Sequence, residues 1–296
     1  MKLLVSLFNK GASPSLRDPG VYLYLVDSET GGVEPVPTEH PDITSANGMT
    51  GLCFHEGAVV GVRQRRPNQL VILNRESLAV EAVRTLDLSM AGHSLLSRDG
   101  DLYLAATGLN AVLRVTPDAE ELIWQHPDGD TDSIHCNGLA QSEGRLLCCG
   151  FGPRKGELWS SANAGFVRDV DSGEVLVSDI VHPHALTVVD GVLHWCEGSR
   201  MSVCNDRGQR LVLPLGYARG LHVGADQLIV GLSSGRRQAA SSGERIERNT
   251  EAGERVGSCQ VLIYQRDRQD LAGCSLLRSI DLSGVGSEIF DLLPLG

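Results

Sequence analysis

Five short segments place a polar residue, a small residue and a leucine in a row: Thr50-Gly51-Leu52, His93-Ser94-Leu95, Asn137-Gly138-Leu139, His184-Ala185-Leu186 and Arg219-Gly220-Leu221. Glu288-Ile289-Phe290 reads as a degenerate sixth copy. The polar members are the side chains that acid–base chemistry needs. Imidazoles exchange protons near neutral pH, a carboxylate serves as a base, and an amide and a guanidinium hold developing or resident negative charge. On an extended strand, residues i and i−2 share a side. His135 therefore joins Asn137, and His182 joins His184, so four of the nine histidines would crowd one place. The expected catalytic set is His93, His184, Glu288, Asn137 and Arg219. Thr50, His135 and His182 are expected to contact substrate. A tunnel in which the same side chains merely meet water is the structural alternative.

These residues can converge only if the elements carrying them repeat. Apolar runs are short, alternate in period two and end at Gly, Asp, Asn or Pro, as in VYLYLVD, LVILN, LYLAAT and QLIVGL. They read as strands of about 5–6 residues, and 34 glycines in 296 residues supply many turns. Little of the chain sustains a helical period, so the class is all-β. The triplets recur at a spacing near that of a four-stranded propeller blade, about 40–45 residues. Six copies predict a six-bladed β-propeller in one domain, residues 1–296. A β-sandwich with coincidental Gly-Leu pairs is the competing reading. The blades fall near 287–296 with 1–37, 47–87, 92–127, 134–178, 182–215 and 217–282. In the first of these, the C-terminal inner strand and the N-terminal strands Leu3–Phe8, Val21–Val26 and Val33–Val36 close the ring and leave no edge.

The turn after each second strand opens on the same face as the triplets. Nine Lys and Arg gather in those turns, including Arg63, Arg154, Arg200 and Arg236, although the formal net charge is −11. A positive field focused on an acidic body would steer and hold a small anion, and Arg forks suit carboxylate or phosphate. Exposed hairpin ends collecting charge is the plainer account. The acidic balance argues against nucleic acid as a partner. No run approaches the ~20 apolar residues of a membrane span. The apolar start is too short for a secretory signal, so a cytoplasmic location is expected. The polar insertion at 235–257 would be a lid over the basic face or a loop. The eight cysteines form no C-x-x-C pair, and those inside second strands read as small core hydrophobes. Neither G-x-S-x-G nor a P-loop occurs.

The block Asn137-Gly138-Leu139-Ala140 with Glu143-Gly144-Arg145-Leu146-Leu147 resembles that of the senescence-marker/gluconolactonase and strictosidine-synthase-like propellers. Over most of its length the chain more closely resembles a bacterial six-bladed propeller family of unknown function. The shared blocks are Ile134 to Ala140, Pro183-His184-Ala185-Leu186, Arg219-Gly220-Leu221 with Val230-Gly231-Leu232-Ser233, and Glu288-Ile289-Phe290-Asp291. The gluconolactonase resemblance implies a metal-ligand role for Asn137. His184 stands where that family has an aspartate, which disfavours oxygen-loving calcium. A ligand set of His93, Asn137, His184 and Glu288 would suit Zn, Mn or Fe better than Ca, with His182-Pro183-His184 reaching from one strand. The function expected is an enzyme acting on a small anionic molecule at the channel mouth, as a hydrolase or lactonase, with or without a metal ion, or as a lyase or isomerase. A non-catalytic scaffold binding an anionic ligand or an acidic protein segment is the alternative.

Overall fold

The computed structural model describes residues 1–8, 21–43, 46–65, 67–88, 91–129, 131–156, 159–234 and 257–296. Six four-stranded antiparallel sheets make up the fold. The first blade joins β1 (Lys2–Leu7), β2 (Leu23–Asp27) and β3 (Val33–Pro35) to the last strand, β24 (Ile289–Pro294), in the order β24-β1-β2-β3. The other five follow chain order outward. Their inner strands are β4 (Gly48–His55), β8 (Gly92–Arg98), β12 (Cys136–Ser142), β16 (Pro183–Val189) and β20 (Tyr217–Val223). The core lies between neighbouring sheets. Leu4, Leu23, Met49, Val59, Val71 and Leu73 fill the space between the first and second blades, and Leu147, Cys149, Leu186 and Trp195 that between the fourth and fifth.

Closure follows the expected pairing: Leu3 lies opposite Pro294 and Leu7 opposite Ile289. Leu3, Leu4, Val5 and Leu7 are fully buried. Near the axis the inner strands approach backbone to backbone. A Cβ on Gly51 would lie 2.5 Å from the Leu95 nitrogen, and one on Gly220 would meet Leu292 at 2.8 Å. The small residue of the triplet is therefore a packing requirement, because its side chain would point into the next blade.

Each inner strand carries a register shift at or beside the triplet. The residue just before the polar position pairs with the same place on the second strand: Met49 with Arg63, Gly92 with Ala106, Cys136 with Gly150, Pro183 with Glu197 and Ala218 with Leu232. In the first blade that pair is Ile289 with Leu7. The sixth ring position is therefore Phe290, two residues beyond Glu288. Glu288 belongs one strand repeat earlier, level with His135, His182 and Tyr217. The triplet alignment misses this because the strongest polar residue near the C-terminus does not mark the position.

Candidate functional site

The shifts set the imidazoles. Ala91, His135 and His182, two residues before their ring positions, all have a left-handed φ near 50°. That conformation is uncommon without glycine and carries local strain. The backbone turned in this way offers a carbonyl to the ring two residues on. His93 Nδ1 donates to the Ala91 oxygen at 2.8 Å, and His184 Nδ1 to the His182 oxygen at 2.9 Å. A carbonyl only accepts, so Nδ1 carries the proton and, in the neutral ring, Nε2 carries the lone pair. Thr107 Oγ1 also contacts His93 Nδ1, at 2.6 Å, while donating to the Cys136 carbonyl.

His184 is 4% exposed. Burial, reinforced by the Arg219 charge, holds its pKa well below the usual histidine range. His182 is pushed down to about 4, chiefly by burial. Its Nε2 donates to the Trp159 carbonyl at 2.9 Å, so Nδ1 accepts from the Tyr217 hydroxyl at 2.9 Å. His135 lies 3.1 Å from Asp132. Arg219 is ion-paired to the buried Glu288 at 2.6 Å. Its guanidinium lies over Phe290 and Tyr217, 4.6 and 5.0 Å from the ring centroids.

Asn137 stands at the ring position between His93 and His184, on the blade between theirs. It is 5% exposed, and its Nδ2 is buried with no hydrogen-bond partner in the protein. A buried amide donor left unsatisfied costs roughly 1–3 kcal/mol. Deeper along the axis, burial raises the Asp291 carboxyl to about 6, although Leu52 and Leu292 each donate a backbone N–H to it at 2.9 Å.

Other expected site residues have structural employment. Thr50 is fully buried, and its hydroxyl donates to the Gly92 carbonyl at 2.8 Å. Arg63 is 1% exposed and lies over the Tyr22 ring. Arg200 and Arg210 share the buried Glu197 carboxylate at 3.2 and 2.8 Å. Arg154 is exposed above Trp159, 4.7 Å from its centroid. Arg236 and nearly all of the 235–257 insertion lie outside the described residues. The basic face is thus narrower than expected, because one arginine is buried and another is neutralised.

Among the described residues, no three of His, Cys, Asp and Glu gather as metal ligands. His93, Asn137, His184 and Glu288 do not fit a divalent ion as a set, since Glu288 sits off the ring and holds Arg219. The cysteines are all free and buried. Burial raises the Cys149 and Cys196 thiols far above their ordinary range, which does not suit a nucleophile.

Phe8, Phe151, Trp159 and Tyr217 stand at the mouth outside the triplets, and Phe290, the third residue of the degenerate sixth copy, takes its ring position. Phe290 touches His93 at 5.4 Å and His93 touches His135 at 5.0 Å. His135 touches Phe151 at 4.4 Å, Phe151 touches His184 at 5.1 Å, and His184 touches Tyr217 at 5.3 Å. Arg219 closes the circuit between Tyr217 and Phe290. The i−2 rule would have found Tyr217, and counting six residues back from Gly296, as the other copies stand six residues before a turn, would have found Phe290.

The family description that matches residues 73–296 is a domain of unknown function, DUF4915. The chain belongs to this family. No curated protein matches the sequence. Among solved structures, a chain of the nidogen/laminin complex is similar with a TM-score of 0.63 at 10% identity, over 99% of this chain and 97% of that one. A putative 6-phosphogluconolactonase from Bacteroides fragilis gives 0.53 at 13% identity, over 98% and 96%. A catalytically inactive virginiamycin B lyase from Staphylococcus aureus gives 0.50 at 14%, over 90% and 96%. At such identities the likeness shows the propeller fold and nothing finer.

Proposed function

We propose that this DUF4915 chain is an enzyme that moves a proton next to the carbonyl of a small anionic molecule held at the channel mouth, a lyase or isomerase type of reaction. The orphaned Asn137 Nδ2 carries the reading. A buried donor that the protein leaves unsatisfied is suited to an oxygen that arrives with a ligand and gains negative charge as it reacts. His93 stands on the preceding blade with its Nε2 lone pair set by the Ala91 carbonyl, and it is the base. It removes the proton from carbon, and the electron pair moves onto the carbonyl oxygen facing Asn137. Return of the proton elsewhere isomerises the molecule, and loss of a leaving group makes the reaction a lyase step. His184, too poor a base to keep a proton, accepts a hydrogen bond. Arg219, oriented by Glu288 and two ring faces, holds the anionic end. The same groups would activate water against a lactone or ester. No step requires a metal ion.

The test is NMR in D2O on a panel of small 2-oxo acids, hydroxy acids and lactones. The expected result is solvent deuterium entering the carbon beside the carbonyl with the native protein. His93→Ala and Asn137→Leu should abolish exchange while each variant still melts cooperatively. If every compound binds without exchange, the site is the non-catalytic anion scaffold. If Asn137→Leu changes neither binding nor exchange, the ring position is not the site.

A further inference from the structure

We infer that the molecule taken at this mouth is a planar, unsaturated carboxylate, an aromatic acid or a conjugated enoate, and not a saturated sugar acid; the inference rests on the reading that the mouth binds a small anion. Phe, Tyr and Trp make up 4% of the sequence, yet Phe8, Phe151, Phe290, Trp159 and Tyr217 meet at this one end. Phe151 and His182 stack flat, at 4.4 Å and 8°, and both are buried, which makes a rigid floor. Above it Trp159, Tyr217, Phe290, His93 and His135 are only half-buried. Ring faces and edges are thus what a ligand meets. Aromatic faces favour another π system, packed offset or edge-on, beyond the area it covers. A polyol would set hydroxyls against carbon with few partners for them.

The unpartnered Asn137 amide is the second observation. Its ring position lies between those of His93 and His184, whose imidazoles belong to the ring circuit, so a ligand oxygen that meets it brings the attached carbon skeleton among the rings. Cations complete the match. Arg219 lies over Tyr217 and Phe290, and Arg154 over Trp159. Ring face and guanidinium therefore occur together at two places on the rim, Arg219 sharing its charge with Glu288 and Arg154 standing exposed, the pairing that an aromatic carboxylate satisfies at both its ends.

The probes are trans-cinnamate and 3-cyclohexylpropanoate, which share a nine-carbon skeleton and one carboxylate but differ in unsaturation. Affinities are measured by calorimetry on the full chain, with thermal melts as a folding check. The expected result is that cinnamate binds about tenfold tighter. Trp159→Leu and Phe290→Leu should each bring the two acids to within about threefold, and Asn137→Leu should weaken both. Equal affinities that both fall in Asn137→Leu would overturn the planar-ligand inference and leave the anion site standing. Binding of neither acid, or binding that Asn137→Leu leaves untouched, would remove the anion-site reading and the inference with it.

Discussion

His93 and His184 are held alike by a carbonyl two residues back, but one ring is half-buried and the other sealed, and this difference divides the roles proposed for them. Asn137 between them is the residue whose cost is visible without a ligand. Replacing it by leucine, close to it in shape, removes an unsatisfied buried donor worth roughly 1–3 kcal/mol. Asn137→Leu is therefore expected to melt a few degrees higher than the native chain while losing anion binding, read by calorimetry and thermal melts. Titration offers a second check. His182 sits at about 4 in the fold against an ordinary 6.5. Between those values the unfolded chain holds the proton and the folded chain does not, so this stability is full above pH 6.5 and is lost as pH falls through 4. Asp291 works the other way: at about 6 against 3.8, it favours the fold as pH falls through 6 and makes its full cost felt above 6. His182→Gln should therefore make the acid-side slope of stability shallower by about 1.4 kcal/mol per pH unit between pH 4.5 and 6, while Asp291→Asn should make it steeper. Urea titrations across that range measure both.

At the scale of elements, the strands and their repeat were legible because a two-sided sheet layer imposes period two and each hairpin needs a turn. The register shift was not legible. In three blades it lies beside a residue in the left-handed backbone, Ala91, His135 and His182, which no composition demands. Five ring positions, Thr50, His93, Asn137, His184 and Arg219, were nevertheless found by spacing, since their copies run six residues ahead of a visible turn. The inner strand of the first blade has no such turn after it, so Glu288 was set in place of Phe290 and the aromatic wall went unseen. Two predictions belong here. Gly51 faces backbone atoms of the next blade that cannot yield, with 2.5 Å from its Cβ position to the Leu95 nitrogen. Gly51→Ala should cost about 3 kcal/mol, at the upper end of overpacking, in a denaturant melt. Deleting residues 1–8 removes a strand paired to both β24 and β2 and exposes two sheet edges. The truncated chain should lose its cooperative melt or aggregate; melting like the full chain would show that the blade is not closed by its N-terminal strand.

For the molecule as a whole, charge is the property that the sequence described only in bulk. A formal −11 repels anions at long range, so an anionic ligand must be drawn by a local positive field at the mouth. The sequence put Arg63, Arg154 and Arg200 in that field with equal weight. Their surroundings separate them. Arg63 is sealed beneath Tyr22, and burial lowers its pKa. Arg200 is spent on Glu197, which also carries Arg210. Arg154 is the exposed cation of the three, and it sits over a ring of the mouth. Exposed charges act through solvent and are screened within about 10 Å at 0.1 M salt, whereas a buried guanidinium acts through packing. Arg154→Ala should therefore weaken binding of a small carboxylate several-fold at 10 mM salt and hardly at all at 500 mM, with the melting temperature unchanged. Arg63→Ala should lower the melting temperature by several degrees and show no salt-dependent loss of binding that exceeds the native chain's. Calorimetric titrations at the two salt concentrations decide the matter. If the loss in Arg154→Ala is the same at both, the mouth attracts its anion through short-range contacts alone, and no steering field operates on this acidic body.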